Sequence, residues 1–161
     1  MASLGEESAR VRVRRLTEDE SFLLGALHLQ ALRRRGVDPS SGRSTGSHVT
    51  ALAAAWQLRS ADLPAWVAEC DEQHVGMAVC RLPVLPHVGR GLPELIALEP
   101  LGAPGPEPVA LALVRAVVTW FGREGYPSVD VSPEVALPGA VLDAARADVL
   151  GRTIVSLPTR P

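Results

Sequence analysis

The apolar positions of the chain repeat with two different periods, and the change from one to the other divides it into elements. Arg10 to Leu16 alternates apolar and basic residues, as a strand with one buried face does. Thr17 then precedes three acids, Glu18, Asp19 and Glu20, and Phe22, Leu23, Ala26, Leu27, Leu29 and Leu32 follow at helical spacing. This is a helix with a capping residue and a negatively charged first turn, ending near Gly36. Gly36 to Gly46 is rich in Gly, Ser and Pro and predicts a loop, and a second helix is expected over about His48 to Leu58. Trp66 to Cys70 and Val75 to Pro83 flank the polar Asp71 to His74, which predicts a hairpin pairing Cys70 with Val75 and Glu69 with Gly76. Glu94 to Leu98 is a further short strand. Val109 to Phe121 is apolar on nearly every side and predicts a helix buried against a sheet, with Pro108 in its first turn and Gly125 at its end. Ser128 to Val131 as a strand, about Gly139 to Leu150 as a helix and Arg152 to Leu157 as a last strand complete the order.

The 161 residues suffice for one domain with one core, so 1–161 is expected to be a single unit, with 1–9 disordered. An apolar share of 47% with 21% charged residues is that of a globular protein, and no apolar run reaches the length of a membrane span. Residues 1–15 carry both charge signs and resemble no leader segment, which makes a cytoplasmic location the expectation. A net charge of -2 provides no basic surface for nucleic acid.

Several chemical constellations fail on spacing. Cys70, His74, Cys80 and His87 are soft metal ligands, but the expected hairpin register puts Cys70 and Cys80 on opposite faces, so neither a metal site nor a disulfide is expected. Gly42-Arg43-Ser44-Thr45-Gly46 follows no strand and lacks the lysine of a phosphate-binding loop. Arg33, Arg34 and Arg35 read as cations at a helix C-terminus.

Leu111 to Tyr126, with Trp120, the Arg123-Glu124 pair and Gly125-Tyr126, resembles the third helix of the GNAT acyltransferase superfamily, and Ile96-Ala97-Leu98-Glu99-Pro100 is similar to the family's fourth strand. The resemblance implies an α/β fold with a mixed, mostly antiparallel sheet of about six strands and about four helices. It implies an N-acetyltransferase moving an acyl group from acetyl-CoA, or another acyl-CoA, to an amine in a ternary complex. The acceptor would be a small-molecule amine or a protein N-terminus, no metal would be needed, and the short tail would favour a homodimer. In the family, backbone amides of a loop patterned Arg/Gln-x-x-Gly-x-Gly/Ala hold the CoA diphosphate at a helix start. The corresponding stretch is Gly105-Pro106-Glu107-Pro108-Val109-Ala110, of which only Ala110 fits. Pro106 and Pro108 have no N–H to offer. Two lost charge-assisted bonds of roughly 1.5–3 kcal/mol each would weaken binding by about a hundredfold to ten-thousandfold. Glu107 adds a negative charge there, and a rigid proline-started helix accounts for the same residues.

The resemblance assigns donor contacts to Ala97, Leu98, Glu99, Gly105, Val109, Ala110 and Leu111, and acceptor contacts to Arg43, Ser44 and His48. It makes Glu94 the general base. Regular strand alternation would put Glu94 on one face with Ile96 and Leu98, and Glu99 on the other with Leu95 and Ala97. A frayed, solvated strand start is the other reading of Glu94. The family's general-acid tyrosine corresponds to Ala147, and Tyr126, the one tyrosine of the chain, reads as a packing residue. A binding or dimerisation module that no longer uses CoA is the competing expectation.

Overall fold

The computed structural model of the chain describes residues 10–38, 45–85 and 87–151. Its elements follow the expected order: β1 (Arg12–Arg15), a 3-10 turn (Glu18–Glu20), α1 (Ser21–Arg34), α2 (Thr45–Gln57), β2 (Ala65–Cys70), β3 (Gln73–Arg81), β4 (Glu94–Pro100), α3 (Pro106–Arg123), β5 (Asp130–Val131) and α4 (Gly139–Ala145). The sheet runs in the order β1-β2-β3-β4-β5, antiparallel throughout except for the parallel β4–β5 pair. It has five strands among the described residues, against about six expected. The strand expected at Arg152–Leu157 lies outside them.

Helices cover both faces. On one, α3 buries Val109, Leu113, Val117 and Phe121 against Trp66, Ala78 and Leu98, and α4 adds Val141. On the other, Leu24, Leu27 and Ala31 of α1 and Trp56 of α2 close over Val67, Met77 and Val79. The near-uniform apolarity of α3 is explained by the ring packing at its end, where Phe121 meets Trp66, Trp120 and Tyr126 at centroid distances of 5.9, 4.8 and 5.7 Å. Tyr126 is therefore a packing residue, as the sequence suggested. No described helix is long and apolar enough to cross a membrane.

Three expectations fail for reasons visible in the backbone. The hairpin closes through a two-residue turn, with Asp71 and Glu72 both at positive φ (48° and 63°), so that Cys70 pairs with Gln73 and Glu69 with His74. A bulge beside Ala68 absorbs Val75 and restores the pairing of Ala68 with Gly76. Cys70 and Cys80 consequently share the α3 face rather than lying on opposite ones. They still cannot form a disulfide: Cys70 is at the turn, Cys80 lies across from Pro64, and six residues of strand separate them by about 20 Å. The helix expected to reach Leu150 stops at Ala145, because Arg146 adopts a left-handed cap (φ 53°). The expected strand from Ser128 shortens to Asp130–Val131.

The α1–α2 pair depends on Gly25. A Cβ there would stand 2.8 Å from the Val49 carbonyl oxygen, so no larger residue lets the helices approach this closely. Gly25→Ala is expected to destabilise the fold by about 1–3 kcal/mol, read as a lower urea midpoint with unchanged slope. At the start of α1, Arg14 donates to Glu20, as does the Thr17 backbone N–H, and together they lower the Glu20 carboxyl from 4.5 to about 2. A depressed folded-state value stabilises above pH 4.5 and is lost as pH falls towards 2. The difference in melting temperature between wild type and Glu20→Gln should therefore be constant above pH 5 or so and vanish near pH 2.

Candidate active site

The first constraint on the site is how β4 leaves the sheet. β4 pairs with β5 only at Glu94–Asp130 and Leu95–Val131, with flanking bonds from Asp130 N–H to Pro93 O (2.8 Å) and Ser132 N–H to Leu95 O (2.9 Å). Beyond Leu95 the two strands part, and among the described residues no strand pairs with that edge of β4. The opposite edge stays bound to β3 as far as Pro100. The result is a wedge lined on one side by the backbone of Ile96 to Glu99.

A bulge sharpens the wedge. Val79 pairs with Ala97 but Cys80 with Leu95, which leaves Ile96 as the extra residue. That extra residue reverses the alternation expected for β4. Leu95 and Leu98 both enter the α3-side core, whereas Ile96 and Ala97 pack on the α1–α2 side. Glu94 and Glu99 thus lie on one face, the α1–α2 face, and not on opposite faces. Each is ion-paired there: Glu94 Oε2 with Arg81 Nη2, and Glu99 Oε1 with Arg35 Nη1 at 2.7 Å. Glu94 is also paired in the sheet on both sides and only about one-fifth exposed, so it is no frayed strand end. Below the wedge, Arg90 donates to the buried Asp130 (2.7 Å), tying the β3–β4 loop to β5.

The loop from β4 to α3 is steered by the first bulge. The carbonyl of Val75 accepts from Leu101 N–H (2.7 Å) and Gly102 N–H (3.1 Å). Gly105 then caps α3 with φ 145°, a conformation that other residues rarely adopt. Pro106 and Pro108 fill two of the first positions of α3, and the Val109 N–H is already bonded to Gly105 O (3.3 Å). The side chains of Val109 and Ala110 are fully buried, and Leu111 is half-buried against the same core. Donor contacts at these three positions can only come from backbone or from the rim of Leu111. Glu107 is exposed in the first helical turn.

On the α1–α2 face the structure adds a pair that the sequence did not suggest. His28 Nδ1 and His48 Nε2 are 3.2 Å apart, with ring planes 18° from parallel and centroids 5.4 Å apart. The centroid distance exceeds the N···N distance by about one ring diameter, so the rings lie end to end in an N–H···N hydrogen bond rather than face to face. His48, the fourth residue of α2, therefore points at α1. Arg43 and Ser44 lie outside the described residues. The clue to His28 in the sequence was its place between Leu24 and Ala31 on the apolar stripe of α1. Burial first, then the charges of His48 and Arg35, lower the proton affinity of His28.

Other groups contribute no chemistry. Both cysteines are buried, and burial pushes the Cys80 thiol far above its usual range. Among the described residues no three His, Cys, Asp or Glu side chains converge as a metal site would need. A concavity of about 580 Å³ beside Tyr126 and Arg90 and one of about 440 Å³ beside Arg15 and Trp56 both lie away from the wedge.

No family model and no curated protein matches the sequence. Solved structures do match the fold. An aminoglycoside N-acetyltransferase, AAC(6')-Iy in complex with CoA, superposes with a TM-score of 0.66 at 18% identity, covering 97% of this chain and 99% of that one. A probable acetyltransferase gives 0.69 at 15% identity over 93% and 99%. A ribosomal-protein-alanine N-acetyltransferase from Brucella melitensis biovar Abortus 2308 gives 0.63 at 14% over 92% and 99%.

The charge placed at the start of α3 can be tested directly. If the start of α3 receives an anionic ligand such as CoA, Glu107→Gln, which removes a carboxylate from the positive end of the helix dipole, tightens its binding by about two- to fivefold at low salt, measured by calorimetry. The divergence of β4 from β5, the bulge at Ile96 and the helices on both faces, together with these superpositions, give the chain the fold of the GNAT N-acetyltransferases.

Proposed function

We propose that the chain is an N-acyltransferase that moves an acyl group from acetyl-CoA, or a related acyl thioester, to an amine by direct attack in a ternary complex. The observation that carries this reading is the wedge, where β4 and β5 pair at two positions only and then separate. A thioester lying there meets backbone amides at Ala97, Leu98 and Glu99. Amides aimed at the developing oxyanion supply what is usually the largest catalytic contribution. The pantetheine arm has the amide groups to extend the open edge of β4, a contact that does not depend on side-chain identity.

Glu94 and Glu99 lie on the opposite side of the sheet from α3, facing α1 and α2, each paired with an arginine. Glu94 is the carboxylate assigned to proton removal, directly or through water. Its pairing with Arg81 keeps the carboxylate in place for that role. His48, with Arg43 and Ser44, is assigned to the acceptor side. The fold neighbours include one crystallised with the aminoglycoside sisomicin, one with a CoA-acetylneamine bisubstrate analogue and one named a ribosomal-protein-alanine N-acetyltransferase, which supports an amine acceptor, either a small molecule or a protein N-terminus. A homodimer belongs to the proposal and is read by sedimentation velocity.

A second reading has its own observation. With Pro106 and Pro108 at the start of α3 and Val109 already bonded to Gly105, the helix retains few of the donors that hold a diphosphate. The chain would then be a GNAT-fold binding module without CoA chemistry.

Calorimetry separates the two. Under the enzyme reading, acetyl-CoA binds, and acetyl-pantetheine binds within about tenfold of it because the diphosphate adds little at this loop. No binding of either at millimolar concentration would leave only the module. Glu94→Gln is expected to lower kcat/KM by about 100-fold without changing the affinity for acetyl-CoA, and unchanged turnover would remove Glu94 from proton transfer.

A further inference from the structure

An amine acceptor reaches a protein at neutral pH as an ammonium, since amines of this kind titrate near lysine, at about 10. Acylation therefore removes two protons. The nitrogen lone pair forms the C–N bond, the C–S bond breaks with its electrons on sulfur, the thiolate ends with one proton, and the other leaves to solvent. A single carboxylate, Glu94, handles one of them at a time. The other needs a group that is unprotonated at neutral pH and open to water.

We propose that the His28–His48 dyad is that group: a proton relay on the α1–α2 face that takes the surplus proton of the acceptor ammonium and releases it to solvent. The inference rests on the acyl-transfer reading. Three observations support it. First, the dyad is placed over the correct part of the sheet. Leu24 and Leu27 of α1 pack over Met77 and Val79 in the middle of the sheet, and Arg35, on the same helical stripe, reaches Glu99 on the open part of β4. His28 lies on that stripe between them. Second, the end-to-end N–H···N bond lets one imidazole share the charge the other receives. A proton arriving at the free ring nitrogen of His28 is stabilised by the bond to His48. It leaves from either half-buried ring when product departs, which resets the pair. A second proton would break the bond, because neither ring would then have a lone pair to accept it.

Third, the surroundings favour an empty relay before reaction. From α2 the facing titratable group is His48, and from α1 itself Arg35. From β4 it is Glu99, through its ion pair with Arg35, with the Glu94–Arg81 pair on the same face, and the apolar residues described on that face of the sheet include Met77, Val79, Ile96 and Ala97. Burial, His48 and Arg35 all disfavour the charged form of His28, so the ring is neutral at a pH where a free imidazole has begun to charge. The partner of Arg35 limits that repulsion once a proton arrives.

The test compares two acceptors that differ in whether the surplus proton exists. n-Butylamine is charged at neutral pH and hydroxylamine is not. With acetyl-CoA as donor, His28→Gln should lower turnover of n-butylamine by about 100-fold while hydroxylamine stays within about twofold. Raising the pH towards that of the free amine should restore the loss. Equal loss with both acceptors, or no loss with either, overturns the relay and leaves the acyltransferase intact. Wild-type protein that acetylates neither amine overturns the acyl-transfer reading and the relay with it. Independently of turnover, the His28 imidazole resonance of the full-length protein should titrate below the ordinary imidazole range and move upward in His48→Gln. A His28 resonance that does not respond to His48→Gln also overturns the proposal.

Discussion

The site depends on one constraint, that β4 belongs to two sheets' worth of geometry at once. Along one edge it must stay antiparallel to β3 for its whole length, and along the other it must run parallel to β5 and then leave it. A regular strand cannot do both without dragging β5 along. The extra residue at Ile96 provides the local twist and bend that bulges impose, so β4 turns away from β5 while the ladder to β3 resumes at Ala97. The same residue reassigns side chains to faces. Leu95 and Leu98 are kept for the α3 core, and Glu94 and Glu99 are turned to the α1–α2 face. The opening and its electrostatics thus have one cause.

A second bulge acts at the other end. Val75 is pushed out of the β2–β3 ladder, and its carbonyl becomes the anchor for Leu101 and Gly102. That anchor directs the chain into Gly105 and the start of α3. The buried rings at the far end of α3 hold the helix axis fixed against the sheet. The helix start is therefore positioned as an anion site would need, while its residues withhold the donors. Position and chemistry are set by separate parts of the sequence here, and only the chemistry departs from the family pattern.

How much of this could be read in advance follows from the range of each signal. The helices and most strands were legible because their apolar period is local: α3 from Val109 to Phe121, and α1 through Leu24, Leu27 and Ala31. The register was not. A two-residue turn made of Asp71 and Glu72 carries no Gly or Asn to announce its positive φ values, and the bulges at Val75 and Ile96 are forced by neighbours far away in sequence. Each bulge shifts facing by one residue, which is why Glu94 and Glu99 were assigned to opposite faces and Cys70 and Cys80 likewise. The cap at Arg146 was equally silent, because arginine is not a residue that favours a left-handed conformation. Within the candidate site, the placement of Ala97, Leu98 and Glu99 on β4 was legible because it follows from strand position alone. His28 was missed because a lone histidine on an apolar helix face has no meaning until α2 brings His48 to it.

These two kinds of site respond differently to sequence change. The wedge is built from strand backbone, and any sequence that keeps the bulge and the two-position pairing keeps it. The diphosphate cradle depends on individual N–H groups, and each proline removes one outright. Under the proposed acyl transfer, a donor held mainly by its thioester and pantetheine arm would lose affinity relative to one also held by its diphosphate but little catalysis, because the oxyanion would form at the wedge and not at the helix start. Under that reading, Pro106, Glu107 and Pro108 weaken the hold on the carrier and leave the reaction centre untouched. On the α1–α2 face Glu94 pairs with Arg81, Glu99 with Arg35 and His28 with His48, and none of these contacts depends on the start of α3.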